Sequence, residues 1–197
     1  MNGVVRLGDR ALRFQVPSGV STAAALAALR GAPGVTDAWA GEDSVAIELS
    51  TAWPDPAPLL ARLHAAASLP PPVPRTHTLR ARYDGADLTD VATRLRLGPA
   101  EVVARHAREY TVLTIGFAPG FAYLGPLDPA LALPRRPTPR PRVPGGALAI
   151  AADRTAVYPG GTPGGWWLIG TVEGFTPFDP ERGAAFAVGD RVRVVET

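Results

Sequence analysis

Four arginines, Arg135, Arg136, Arg140 and Arg142, fall within eight residues and alternate with Pro134, Pro137, Pro139 and Pro141. A guanidinium stays charged and offers a planar fork of donors that matches carboxylate or phosphate oxygens. Proline restricts the backbone and lowers the entropy lost on ordering. The strip therefore reads as a rigid clamp for an anion; the competing reading is a solvated basic loop, or one that pairs with acidic groups on a partner. His106 follows Val102 and Val103 by four and three residues, which sets its imidazole on the inward face of a helix. Two readings stay open for it: a core histidine with satisfied hydrogen bonds, or a general acid/base or ligand donor at a cavity mouth. Phe117, Phe121, Tyr123, Trp166 and Trp167 divide between core and cavity wall. Strand alternation sends Trp166 and Trp167 to opposite faces, one to the interior and the other to solvent or a partner.

The elements that must position these residues fall on either side of Leu69–Thr76, LPPPVPRT, where four prolines in eight residues favour a stiff extended linker. Residues 1–76 read as a small α+β domain. Ala11–Val16 alternates as a half-buried strand. Ser21–Arg30 is a helix that starts on a capping serine and stops at Gly31. Val35–Ala40 and Val45–Leu49 form a hairpin, and Pro58–Ala67 is a second helix with Leu59, Leu60 and Leu63 inward. This order resembles a ferredoxin-like sandwich whose final strand begins near His77. Residues 77–197 start with a strand, His77–Tyr83, then a helix capped by Asp87 and another with Pro99 at its first position. Candidate strands follow at Tyr110–Gly116, Ala147–Ala152, Thr155–Tyr158, Trp166–Val172 and Asp190–Val195. Short strands broken by glycine and proline predict a closed barrel or sandwich. The pairs Gly145-Gly146, Gly160-Gly161 and Gly164-Gly165 read mostly as tight turns.

Composition narrows the chemistry further. All 20 basic residues are arginine and the formal net charge is +2. Without lysine there is no Schiff base and no Walker-type phosphate loop. Without cysteine there is no disulfide, thiolate metal site or cysteine nucleophile, in keeping with a cytoplasmic location. The three histidines are not spaced as metal ligands, no serine sits in a G-x-S-x-G elbow, and no apolar run is long enough to span a membrane. The small net charge and lack of a reader motif argue against nucleic acid.

Glu101–Val112 (EVVARHAREYTV), Gly116–Gly125 (GFAPGFAYLG), Leu127–Gly146 (LDPALALPRRPTPRPRVPGG), Ala156–Gly170 (AVYPGGTPGGWWLIG) and Phe178–Val195 (FDPERGAAFAVGDRVRVV) together resemble the B-type subunit of 5-oxoprolinase. That family is also described as allophanate hydrolase subunit 1 and as histidine-kinase inhibitors. The resemblance implies a cyclophilin-like β-barrel for residues 77–197. It implies an ATP-dependent lactam hydrolase complex that converts 5-oxo-L-proline to L-glutamate, with ATP and Mg in the complex and no metal bound by this chain alone. Its partners are then a carboxyltransferase-like second subunit, of the C type in 5-oxoprolinase, and a third lactam-handling subunit, with no nucleic acid or membrane. For such a reaction His106 is a suitable proton carrier and Arg140 a suitable catalytic clamp, with Tyr123, Arg135, Arg142 and Trp166 as substrate-binding residues. The alternative function is a non-catalytic regulator that inhibits a histidine kinase. Several positions depart from the family pattern: Ala122, Pro126, Pro141, Thr162 and the run Gly170-Thr171-Val172-Glu173, where a cation is expected and a carboxylate stands instead.

Overall fold

The computed structural model describes residues 3–52 and 55–197, and the chain divides into two compact units, Met1–Pro74 and Arg75–Thr197. In the first unit, β1 (Val4–Leu7) and β2 (Ala11–Gln15) are followed by α1 (Thr22–Arg30), β3 (Val35–Ala40), β4 (Ser44–Leu49) and α2 (Ala57–Ala65). The four strands make an antiparallel sheet in the order β1-β2-β4-β3. Period-two alternation in β2 buries Leu12 and Phe14. The Ser21 hydroxyl accepts from the Ala24 amide at 3.1 Å and so starts α1, whose inner face buries Ala25 and Leu29. Leu59 and Leu63 of α2 are also buried.

One expectation fails here. The strand near His77 does not complete this sheet, because the edge position beside β2 is filled by β1. That strand carries no buried face of its own, with Val4 half-buried and Val5, Arg6 and Leu7 exposed, so hydrophobic periodicity could not reveal it.

The second unit begins with β5 (Thr76–Arg82), α3 (Leu88–Leu95) and α4 (Pro99–His106). Next come β6 (Glu109–Ile115), β7 (Ala122–Gly125), β8 (Arg140–Val143), β9 (Ala147–Ala151), β10 (Arg154–Val157), β11 (Thr162–Gly164) and β12 (Trp167–Val172). The two-residue strands β13 (Phe178–Asp179) and β14 (Gly183–Ala184) precede β15 (Arg191–Glu196). Seven strands close into a barrel in the order β10-β7-β6-β15-β5-β12-β9. Closure removes exposed sheet edges. Together with the four helices, this is an α+β architecture.

Alternation on β9 explains both sides of the barrel wall. Leu148 and Ile150 point inward to a core with Trp167, Ile169 and Val192. Ala147, Ala149 and Ala151 point outward and are buried too, beneath a second cluster containing Phe121, Val143, Tyr158 and Trp166. β8 pairs with β11, so the arginine–proline strip is partly a strand, and Val143 of β8 packs into that outer cluster. Small outward side chains let this strap lie close to the wall.

The segment before α3 also crosses the wall closely. A Cβ on Gly85 would stand 2.3 Å from the Ile169 carbonyl carbon and 2.4 Å from the Gly170 amide nitrogen. Backbone atoms cannot rotate away, so Gly85→Ala is expected to destabilise the second unit by about 2 kcal/mol, as overpacking does. The check is chemical denaturation of the two proteins; equal midpoints would contradict the crowding.

Candidate functional site

Where the strap meets the wall lies a cleft of about 180 Å³, lined by Phe117, Phe121, Tyr123, Tyr158, Trp166 and Arg135 together with Pro139 and Gly164. Phe121 is the centre of the aromatic set. Its ring lies 5.4 Å from Phe117, 5.0 Å from Tyr123, 5.1 Å from Tyr158 and 5.5 Å from Trp166, all edge to face. Such geometry sets ring edges against ring faces and holds the cluster rigid. Phe117 is 64% exposed and has φ of 70°, a left-handed backbone uncommon for a bulky residue. Strain of this kind persists where the surroundings enforce it, and it marks sites of function. Gly164 is required where it stands, since a Cβ there would lie 2.3 Å from the Tyr158 hydroxyl.

Arg135 is the cation of the cleft. It is exposed and makes no ion pair with a described residue. Burial raises the Tyr158 pKa, with the Trp166 amide and the Arg135 charge acting in the opposite sense. Tyr158 therefore stays a neutral O–H donor at neutral pH. Among the described residues, no aspartate or glutamate lines the cleft, whereas Mg²⁺ is held by carboxylate and carbonyl oxygens. The cleft is also smaller than sites for drug-sized ligands, which run to roughly 300–1,000 Å³. These residues fit a small anion with a flat body; they do not fit a magnesium nucleotide.

Behind the strap lies a buried carboxylate. Asp87, 4% exposed, accepts from Arg136 Nη1 at 2.8 Å and from Arg140 Nη2 at 2.6 Å through Oδ1, and from the Leu168 amide at 2.7 Å through Oδ2. The expected role of Asp87 as a helix cap is only half met. It occupies the capping position of α3, but its side chain makes no capping bond because both oxygens are engaged elsewhere. Arg136 and Arg94 also lie over the Trp167 ring, at 5.3 and 4.7 Å, and the indole nitrogen donates to the Pro134 carbonyl at 2.7 Å.

His106 sits apart from this cleft. It is 0% exposed; Nδ1 is 2.7 Å from the Tyr83 hydroxyl and Nε2 is 2.8 Å from Thr155 Oγ1. Thr155 donates its own proton to the Ala149 carbonyl, so it accepts from Nε2–H, and Tyr83 must donate to Nδ1. Burial pulls the imidazole pKa down to about 3. The ring is neutral at physiological pH, with both nitrogens satisfied.

The expected site residues thus separate. Tyr123, Arg135 and Trp166 share the cleft. Arg140 is turned to Asp87, Arg142 is exposed with its guanidinium against Gly161, and His106 is in the core. Trp167 faces the barrel interior as alternation requires, but Trp166 does not face solvent; it is 5% exposed, covered by Phe121 and Tyr123. Sequence reasoning passed over Tyr158 and the side chain of Asp87. Tyr158 could have been found as the aromatic ending a strand just before Gly160-Gly161. Asp87 could have been found from the surplus of arginine in the strap, which calls for a buried acid. Among the described residues, no group of three or more His, Asp or Glu could hold a metal ion, and no helix is long and apolar enough to cross a membrane.

Comparison with known proteins gives this arrangement relatives. Residues 3–188 match the family described as "Carboxyltransferase domain, subdomain C and D". A Bacillus subtilis (strain 168) protein, named as the B-type subunit of 5-oxoprolinase, is 49% identical over 87 residues, covering 44% of this chain and 36% of its own length. An Escherichia coli O157:H7 protein of the same name is 46% identical over 114 residues, 56% of this chain and 52% of that one. The chain therefore matches about half or less of these curated relatives. Among solved structures, TTHA0988 is similar with a TM-score of 0.78 and 38% identity, over 95% of this chain and 40% of that one. Kluyveromyces lactis urea carboxylase shares the fold at 17% identity and a TM-score of 0.66, over 98% of this chain and 21% of that one.

Proposed function

The chain belongs to the family of the carboxyltransferase domain, subdomains C and D, and on that premise we propose that it is one component of an ATP-dependent 5-oxoprolinase opening 5-oxo-L-proline to L-glutamate. Its partners in this reading are a carboxyltransferase-like component, of the C type, and a third, lactam-handling component. The curated relatives' name supports the assembly, and the cleft is the observation that carries this chain's share in it. A lactam with one carboxylate is a small flat ring with one negative charge. Arg135 offers one fork for that carboxylate, Phe117 and Tyr123 offer aromatic surface for the ring with Trp166 lining the cleft beside them, and the Tyr158 O–H is a donor for a carbonyl. His106 and Arg140 act in this reading through the frame, since each is already engaged. ATP and its Mg²⁺ are assigned to another component of the complex.

The test is reconstitution. This chain, purified with both partner components, is expected to release ADP in a 5-oxoproline-dependent way, and the mixture lacking this chain is not. Absence of turnover by the complete set, beside an active control enzyme, would overturn the reading.

A further inference from the structure

We infer that Asp87 is the positioning residue of the aromatic cleft, tying its two walls together at one carboxylate; this rests on the reading of the cleft as the ligand site. One wall is the strap that carries Arg135 and Pro139. The other is the start of β12 with Trp166 just before it. Asp87 grips both. Its backbone N–H donates to the Leu168 carbonyl at 2.9 Å while its side chain accepts from the Leu168 amide, a two-way clasp two residues from Trp166. Its other oxygen holds Arg136 and Arg140, which bracket the strap segment containing Pro139.

This arrangement sets the direction of Arg135. Pro134 is tied through its carbonyl to Trp167, and Arg136 through its amide to the Gly165 carbonyl at 2.7 Å. With both neighbours fixed and Arg136 drawn to Asp87, Arg135 is left to line the cleft. The hub also has one carboxylate against two guanidiniums. Arg136 Nε and Arg140 Nη1 are buried donors with no hydrogen-bond partner among the described residues. The surplus positive charge lies behind the cleft wall and favours an anion within it.

Neutralising Asp87 leaves two half-buried arginines without a counter-charge, so the strap should loosen before the barrel does. The experiment uses Asp87→Asn in two arms. Hydrogen exchange of the ligand-free protein is the first. Exchange at the Arg136 and Leu168 amides is expected to accelerate by about tenfold or more, with the β9 amides unchanged. The second is kinetics of the reconstituted complex with 5-oxoproline, where KM is expected to rise about tenfold while kcat changes by less than about twofold. Unchanged exchange, or acceleration spread equally over β9, overturns the inference, as does a fall in kcat with KM unaltered. If Asp87→Asn does not fold, Arg136→Gln removes one arm of the same hub and is judged by the same readouts. Lack of turnover by the unaltered complex defeats the 5-oxoprolinase reading instead, and the exchange arm still decides on Asp87.

Discussion

His106→Ala is expected to destabilise the barrel by about 4 kcal/mol, the scale of a large core truncation that also strands a polar partner. The ring fills space between Tyr83 and Tyr110, at centroid distances of 5.6 Å from each. Its loss leaves the Tyr83 hydroxyl without its acceptor. Thr155 still donates to Ala149, so the damage is concentrated on one side of the vacated space. The pH dependence identifies the cause. The imidazole pKa is lowered to about 3 by burial, against an ordinary value near 6.5. The unfolded chain therefore takes up a proton that the folded chain refuses once pH falls below about 6.5, and stability drops with falling pH. From pH 7 to pH 5 this linkage amounts to about 2 kcal/mol, provided only that the folded value lies below 5. His106→Gln removes the titrating group, so its stability should fall less over that interval. Denaturation midpoints of the two proteins at pH 7 and pH 5 supply the comparison; parallel losses would show that His106 is not buried as a neutral ring. Asp190 does not obscure the result. Burial alone would raise its pKa, but the Ala187 amide, His77 and Arg75 pull it below the usual range. Its contribution is full above about pH 4 and is lost only in stronger acid.

Arg135→Gln is the counterpart with the opposite signature. Arg135 is exposed and unpaired among the described residues, so its removal should leave the unfolding midpoint nearly unchanged. A charge-assisted pair with a ligand carboxylate is worth about 2 kcal/mol, so binding of 5-oxoproline should weaken about thirtyfold. Titration of the reconstituted complex with 5-oxoproline reads the change. Affinity within about twofold of the unaltered protein would remove Arg135 from the cleft's chemistry. Together the two substitutions separate a residue that holds the fold from one that holds a ligand.

The elements most readily read from the chain were those whose own pattern determines them. Ser21 and Gly31 bracket α1 because capping chemistry is local. Ala147–Ala151 showed as a strand because every residue in it is apolar, as a wall buried on both faces demands. β8 was hidden by Pro141 within it and by Pro139 and Pro144 on either side, which disguise an edge strand that, among the described residues, pairs with β11 alone. The cleft was legible in its composition but not in its membership. Tyr123, Arg135 and Trp166 could be named from residue type, yet which arginines point outward depends on Asp87, some 49 residues from Arg136 in sequence. The inward helical face of His106 was correctly a buried face. Periodicity could not tell whether that face meets a cavity or a packed interior, because only the partners contributed by Tyr83 and Thr155 decide it.

Pairing of β5 with β15 joins the first strand of the barrel to the last, in a parallel ladder running from Arg191 beside Thr76 to Glu196 beside Ala81. The ring closes only at that last strand, which also pairs with β6 on its other side, whereas the remaining strands pair among themselves without it. While the chain is being synthesised, β5 leaves the ribosome more than a hundred residues before its neighbour exists, a separation that raises the entropy of closure. High sequence separation of this kind slows folding. Until the final strand emerges, the ring stands open beside β5, and the nascent chain must keep that unpaired margin from meeting another copy.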